Sequence, residues 1–266
     1  MTTTHTLPVR GGRLHYEVRG EGPVLLVMGS PMDAVMFGPL ADALARDHTV
    51  VTHDPPGISR STFDDPQLES TPELRADCVV AILDALGAKT ADLFGSSGGA
   101  VTGLALVTRH PGRLRTLVAH EPPLLELLPD AAQLRAMTEE NIAIYQRHGV
   151  GAAWMQFMKN AGFDVSEHAG PPGEPTEKDL RNSARFFLHE LRGTTRYLPD
   201  IAALRASETR VVVGLGETSG HLLTSRTSIA LAERLGTKPT MFPGDHGGFM
   251  GQPNEFADTL RQVLAR

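Results

Sequence analysis

Apolar residues along the chain follow two periods, one typical of strands and one typical of helices. The segment Pro23–Gly29 (PVLLVMG) is continuously apolar, which predicts a strand buried on both faces. In Arg13–Gly20 apolar and polar residues alternate, which predicts an exposed or edge strand. Between such segments, residues such as Val79, Ile82 and Leu83 recur at helical spacing. The pattern therefore predicts strands that alternate with helices.

The order of these segments predicts the architecture. Predicted strands occupy residues 13–20, 23–29, 48–54, 91–95, 115–121, 209–216 and 238–244, and predicted helices occupy 33–46, 71–86, 98–110, 227–235 and 253–266. This alternation is typical of a mostly parallel sheet with helices on both faces. Ligands of such sheets bind beyond the carboxyl ends of the strands, so we expect the functional site there.

The stretch 124–206 interrupts the alternation, because it contains no predicted strand. Its pattern predicts helices over 131–148, 150–161 and 177–191, with a Gly/Pro-rich loop at 169–176. Thr176 and Asp179 have the spacing of a capping box at the start of the last helix. We interpret the stretch as a helical cap over the strand ends; ordinary sheet-covering helices are the alternative.

The predicted domain organisation follows from this interruption. Residues 1–123 and 207–266 form an α/β core, and residues 124–206 form the cap. A chain of 266 residues is long enough to bury a large core.

Composition narrows the range of partners. The net charge is −6 and the chain has no run of Lys or Arg, which argues against nucleic acid and against an anionic membrane. Cys78 is the only cysteine, so a disulfide framework and a cysteine metal site are excluded. No signal peptide and no membrane-spanning segment is predicted, so we expect a cytoplasmic protein.

The segment Gly95–Gly99 (GSSGG) stands where a predicted strand passes into a predicted helix. It matches G-x-S-x-G with Ser97 at the centre, in the strand–turn–helix context of a nucleophile elbow. A phosphate cradle is the alternative, but it requires G-x-G-x-x-G or a following Lys-Ser/Thr. The segment Gly214–Gly220 (GLGETSG) is the most similar to G-x-G-x-x-G, but its last glycine lies one residue further along the chain than the motif requires. We therefore predict that Ser97 is a nucleophile.

A serine nucleophile needs a base and a carboxylate that orients the base. His246 lies on a loop between the last strand and the last helix, where an imidazole can reach Ser97. Glu121 and Glu217 both follow predicted strands. We favour Glu121, because a carboxylate beside an apolar strand needs a partner, and keep Glu217 as the alternative acid.

Two backbone N–H groups are expected to bind the oxyanion. The N–H of Gly98 directly follows the nucleophile, and the N–H of Ser30 follows Gly29, where the chain turns away from a strand. These donors complete the predicted site of catalytic Ser97, His246 and Glu121.

The chain resembles the α/β-hydrolases, and within them the zearalenone-type lactonases. The motifs shared with the lactonases are the elbow Gly95–Ala100, the segment Asp54–Ser61 (DPPGISRS) and the segment His120–Pro123 (HEPP). The glycine turn Met28–Ser30 and a Pro-Gly-Asp-His segment ending at His246 are shared with the wider superfamily, whereas the loop Met28–Asp33 differs from the Gly-rich loop of the lactonases. The resemblance implies a mostly parallel eight-stranded sheet with the cap inserted after the sixth strand. It also implies that Glu121 is the acid.

These observations predict a serine hydrolase that cleaves a small apolar ester or lactone through an acyl-enzyme, without metal or cofactor. Weaker candidates for substrate binding lie in the cap: Trp154, Phe157, Met158, Phe186 and Phe187. Three alternatives stay open on the same chain: a cofactor-free oxygenase or perhydrolase, a non-catalytic small-molecule receptor, and nucleotide binding. The sequence leaves a homodimer open.

Overall fold

The computed structural model describes residues 2–164 and 174–266. Nine strands are present in these residues: β1 Thr2–Val9, β2 Gly12–Arg19, β3 Val24–Met28, β4 Thr49–His53, β5 Thr62–Phe63, β6 Ala91–Ser96, β7 Leu114–His120, β8 Arg210–Gly216 and β9 Thr240–Phe242. Eight of them form one sheet in the order β1-β2-β4-β3-β6-β7-β8-β9, and the short β5 pairs with β2. Strands β3, β4 and β6–β9 are parallel, so the sheet is mostly parallel, as predicted.

Most helices lie at predicted positions, but the short helices over 191–195, 201–206 and 248–251 were not predicted. They are α1 Gly38–Leu44, α2 Pro72–Ala85, α3 Gly98–Arg109, α4 Ala131–Ala161, α5 Glu177–His189, α6 Leu191–Thr195, α7 Ile201–Ala206, α8 Leu223–Leu235, α9 Gly248–Gly251 and α10 Pro253–Leu264. Among the described residues, none of these helices is long and apolar enough to cross a membrane.

Side chains of the central strands alternate between two apolar layers. In β3, Leu26 and Met28 pack in the layer that contains residues of α2, α3 and α8. Leu25 and Val27 point to the other face, where residues of α1 and α10 complete the layer. Continuous apolar runs therefore correspond to strands buried on both faces, as predicted.

Two parts of the structure differ from the sequence prediction. The N-terminal strand β1 was not predicted, because most of its side chains are polar and exposed; it forms an antiparallel pair with β2. The helix predicted over 33–46 is a short 3-10 helix, Ala34–Phe37, followed by α1. Pro39 explains the division, because it has no N–H to continue a helix and is favoured in the first turn of a new one.

The helices α4–α7 lie between β7 and β8 in the chain, where the cap was predicted. Helix α4 contains the predicted break at Gly149, which has φ 80° and ψ −174°. The capping box at the start of α5 is also confirmed, with Thr176 and Asp179 bonded reciprocally. Residues 169–173 of the predicted loop 169–176 lie outside the residues that the structure describes. The division of the chain into core and cap stays a prediction.

Candidate active site

Ser97 occupies a sharp turn between β6 and α3. Its backbone has φ 55° and ψ −124°, a region that L residues rarely adopt, at a cost of ~1–3 kcal/mol. A Cβ at Gly95 would lie 2.6 Å from the carbonyl oxygen of Gly99, and one at Gly99 would lie 2.6 Å from that of Met28. Glycine at these positions lets β6, α3 and β3 approach one another, and the serine side chain is left at the edge of a cavity.

The loop after β3 lies directly against this turn. A Cβ at Gly98 would be 2.7 Å from the carbonyl oxygen of Ser30, so the two predicted oxyanion donors belong to touching segments. Gly98 is the first residue of α3, and the N–H of a first helical residue has no acceptor within its helix. Ser30 and Gly98 both line the cavity beside Ser97. The two segments that carry the predicted oxyanion donors therefore lie together at the cavity.

Glu121 and His246 are brought together, although 125 positions separate them in sequence. The Nδ1 of His246 lies 2.7 Å from Oε2 of Glu121, whose side chain is fully buried. Oε2 also accepts a bond from the Thr224 hydroxyl (2.7 Å), and Oε1 accepts one from the Gly216 N–H (2.9 Å). The carboxylate is therefore held by three donors from separate parts of the chain.

The surroundings of Glu121 determine its protonation state. Burial alone raises the pKa of this carboxyl group, but favourable interactions, led by the hydrogen bond from His246 and the charge of that imidazole, together outweigh burial. The pKa of Glu121 falls from the ordinary 4.5 to about 2. Glu121 is consequently ionised near neutral pH, and its bond to Nδ1 leaves Nε2 of His246 as the nitrogen that can accept a proton.

Two other carboxylates near the site, Glu217 and Asp245, have no described hydrogen bond to the His246 imidazole. Glu217 is exposed, and its described hydrogen bond runs from its backbone N–H to the carbonyl of Phe242. Asp245 accepts a bond from the N–H of Gly247 at 2.8 Å, which stabilises the loop around His246. The geometry thus favours Glu121 over Glu217 as the partner of His246.

Two further histidines at strand ends are buried. Burial lowers the pKa of both His53 and His120 to about 4, so both rings are neutral near neutral pH. The ring of His120 packs 6.2 Å from the ring of His246, and its Nδ1 lies 3.2 Å from the Ser96 hydroxyl. We infer that the His120 ring is part of the packing beneath the site.

A cavity of about 410 Å³ is bounded by the strand-end loops and by the helices between β7 and β8. Ser97 and His246 both line it. The rest of its lining is mainly apolar, and Asp245 and His246 are the only ionisable side chains among the described lining residues. No cluster of three His, Cys, Asp or Glu suited to a metal ion occurs in residues 2–164 or 174–266.

Four of the five predicted cap residues line this cavity: Trp154, Phe157, Met158 and Phe186. Phe187 does not. It is fully buried in an aromatic cluster, where it stacks on Tyr145 at a ring distance of 5.1 Å. Phe186 belongs to the same aromatic cluster but also lines the cavity.

A buried ion pair behind Ser30 was not predicted. The Ser30 hydroxyl donates a hydrogen bond to Oε1 of Glu190, and the Arg75 guanidinium lies 3.8 Å from the same oxygen. Arg75 also donates to the hydroxyls of Thr102 in α3 (2.8 Å) and Thr194 in α6 (2.9 Å). The pair therefore joins the predicted oxyanion loop to the inserted helices. No local sequence signal identifies it, because its members come from distant segments.

We expect Glu190→Gln to lower the free energy of unfolding by about 3 kcal/mol, because the buried Arg75 loses its counter-charge. Urea unfolding measures this change. The matched control is Glu140→Gln, which breaks an exposed pair with Arg147 and should cost less than about 1 kcal/mol. Equal effects of the two substitutions would contradict the inferred role of the pair.

Acid should selectively remove the stabilisation that Glu121 provides. A lowered pKa in the folded state means that this stabilisation is complete above the ordinary 4.5 and is lost as the pH falls toward about 2. The difference in unfolding free energy between wild type and Glu121→Gln should therefore shrink over this interval. Glu217→Gln, which changes an exposed carboxylate, should follow the wild-type curve. The prediction is contradicted if the unfolding free energies of wild type and Glu121→Gln differ by the same amount at every pH.

Comparison with known proteins identifies the family. A model of the alpha/beta hydrolase fold matches residues 22–183. An uncharacterized hydrolase of Bacillus subtilis is 35% identical over 98% of this chain and 96% of its own. A zearalenone hydrolase of Bionectria ochroleuca is 28% identical over 97% of this chain and 96% of its own.

Solved structures agree on the fold. A thermophilic esterase from Thermogutta terrifontis superimposes with a TM-score of 0.77 at 21% identity, covering 100% of this chain and 98% of its own. The predicted fold class is confirmed, and the relatives support a hydrolytic enzyme. The chain belongs to the α/β-hydrolase family.

Proposed function

We propose that this hydrolase cleaves small, uncharged carboxylic esters or lactones through an acyl-enzyme on Ser97. The observation that carries the proposal is the 2.7 Å contact between His246 Nδ1 and the buried Glu121 carboxylate, in a cavity that Ser97 also lines. The contact orients the imidazole and stabilises the positive charge that it acquires as a base. An imidazole held in this way, beside a serine on an elbow, is suited to acyl transfer.

Each residue has a defined role in the proposed reaction, and His246 acts in turn as base and acid. The Ser97 oxygen attacks the carbonyl carbon while Nε2 of His246 takes the hydroxyl proton. The N–H groups of Ser30 and Gly98 bind the oxyanion of the tetrahedral intermediate. His246 then protonates the leaving alkoxide, which departs from a linear ester or stays tethered in an opened lactone. Finally, His246 activates a water that hydrolyses the acyl-enzyme and regenerates Ser97.

The cavity and the relatives support the substrate class. Apart from Asp245 and His246, the described cavity lining carries no ionisable side chain that would pair with a charged substrate. A charged group would lose its hydration there without compensation, so uncharged molecules are favoured. The relative named as a zearalenone hydrolase supports the inclusion of lactones.

Ser97→Ala should lower kcat/KM for p-nitrophenyl esters by ~10⁴-fold or more, because the nucleophile is removed. Glu121→Gln should lower it by about 10⁴-fold, because the amide no longer stabilises the imidazolium. Steady-state kinetics measure both effects, and thermal unfolding verifies that the Ser97 variant is folded.

The control for these variants is Glu217→Gln, which should retain wild-type kinetics because its carboxylate is exposed and makes no contact with His246. Full activity of a folded Ser97→Ala variant would overturn the proposed mechanism. If Glu217→Gln lowers kcat/KM more than Glu121→Gln does, the role of the acid passes from Glu121 to Glu217.

A further inference from the structure

One wall of the cavity is a single face of α4. Leu134, Met137, Thr138 and Asn141 all line the cavity, and their spacing of three or four residues places them on one side of the helix. Three of these side chains are apolar or have satisfied polar groups. The Thr138 hydroxyl, for example, donates to the carbonyl of Leu134 at 3.1 Å.

Asn141 differs from its neighbours, because neither end of its amide has a partner. The residue is only 2% exposed, and neither Oδ1 nor Nδ2 makes a hydrogen bond within the described chain. A buried amide is costly when unpaired, and folded proteins satisfy nearly all such groups. The side chain is therefore arranged for a partner that the protein itself does not supply.

Other polar side chains around the cavity already have protein partners. The Thr195 hydroxyl donates to the carbonyl of Leu191 (2.9 Å), and Oδ1 of Asn160 accepts a bond from Gln156 (2.8 Å). The Trp154 indole N–H donates to the Ser183 hydroxyl at 2.9 Å. Within the described lining, Asn141 is thus the buried side chain of the inserted helices whose polar atoms both have no protein partner.

We propose that Asn141 is a specificity-determining residue that binds a hydroxyl group carried by the substrate away from its ester bond. The proposal rests on the proposed esterase or lactonase function. A hydroxyl accepts from the amide nitrogen or donates to the amide oxygen, so it fits either orientation of the side chain. The preferred substrate is accordingly an apolar ester or lactone with a hydroxyl that reaches α4.

Asn141 and the reacting groups lie on different parts of the cavity wall. Ser97 and His246 belong to the strand-end loops, whereas Asn141 belongs to an inserted helix that bounds the same cavity. A substrate that contacts both must place its hydroxyl at a defined distance from the carbonyl carbon. The preference should therefore depend on chain length.

The kinetic test uses p-nitrophenyl ω-hydroxyalkanoates of increasing length, each paired with the alkanoate in which a methyl group replaces the hydroxyl. In wild type, the ratio of kcat/KM between hydroxylated and methyl partners should reach a maximum at one length. Asn141→Leu, of similar volume, should lower that maximum by ~10-fold or more, because the hydroxyl then meets only carbon. Thr138→Val, on the same face, should leave the ratio at its wild-type value, because its hydroxyl is already bonded within α4.

A binding measurement separates this proposal from the proposed function. Matched ω-hydroxy and methyl-terminated methyl ketones have a carbonyl but no leaving group, so calorimetry gives their affinities without turnover. Wild type should bind the hydroxylated ketone of the preferred length more tightly, and Asn141→Leu should lose that preference. This result would support the role of Asn141 even if esters were not hydrolysed.

The contrary results are equally distinct. The proposal is overturned if esters are hydrolysed but the ratio of kcat/KM between hydroxylated and methyl partners does not vary with chain length. It is equally overturned if that ratio is unchanged in Asn141→Leu. In both cases Asn141 binds only water, and the esterase function stands. Thermal unfolding identifies a variant that fails to fold. Asn141→Ala then provides the second test, because it removes the same amide without adding bulk, and it should lose the same ratio.

Discussion

The buried carboxylate of Glu121 is the constraint on which the site depends. A charge in this position is tolerated only when donors surround it. The three donors come from the end of β8 (Gly216), from the second residue of α8 (Thr224) and from the loop after β9 (His246). Satisfying the carboxylate therefore fixes three segments of the chain relative to one another. It also gives His246 an orientation that a surface loop would not otherwise maintain.

Ser97 and His246, the proposed nucleophile and base, are held by different kinds of constraint. Ser97 is positioned by sterics, since glycines at 95, 98 and 99 allow three backbone segments to approach closely. His246 is positioned by electrostatics and hydrogen bonding. The inserted helices add the wall of the cavity and, through Glu190 and Arg75, a buried link to the loop that contains Ser30. We infer that reactive groups belong to the parallel sheet and that selectivity belongs to the inserted helices.

Much of this arrangement was predictable from the sequence, because its signals are local. Apolar runs predicted the buried strands, and the strand-end positions of Glu121 and His246 predicted that these two side chains would meet. Strand β1 was missed because its exposed threonines carry no apolar pattern; it is held by pairing with β2. The Glu190–Arg75 pair and the unpartnered amide of Asn141 depend on contacts between distant segments. The prediction that Phe187 contacts substrate was wrong, because it rested on the presence of aromatic residues in the cap and not on the direction in which each side chain points.

The central claim is that Ser97 attacks a carbonyl that is held between the His246 imidazole and two backbone N–H groups. A crystal structure of the protein after reaction with an alkyl fluorophosphonate tests this claim most directly. The account predicts a phosphorus–oxygen bond to Ser97 Oγ, with the phosphoryl oxygen accepting hydrogen bonds from the N–H groups of Ser30 and Gly98. Phosphorus on another residue, or a phosphoryl oxygen turned away from both N–H groups, would contradict it.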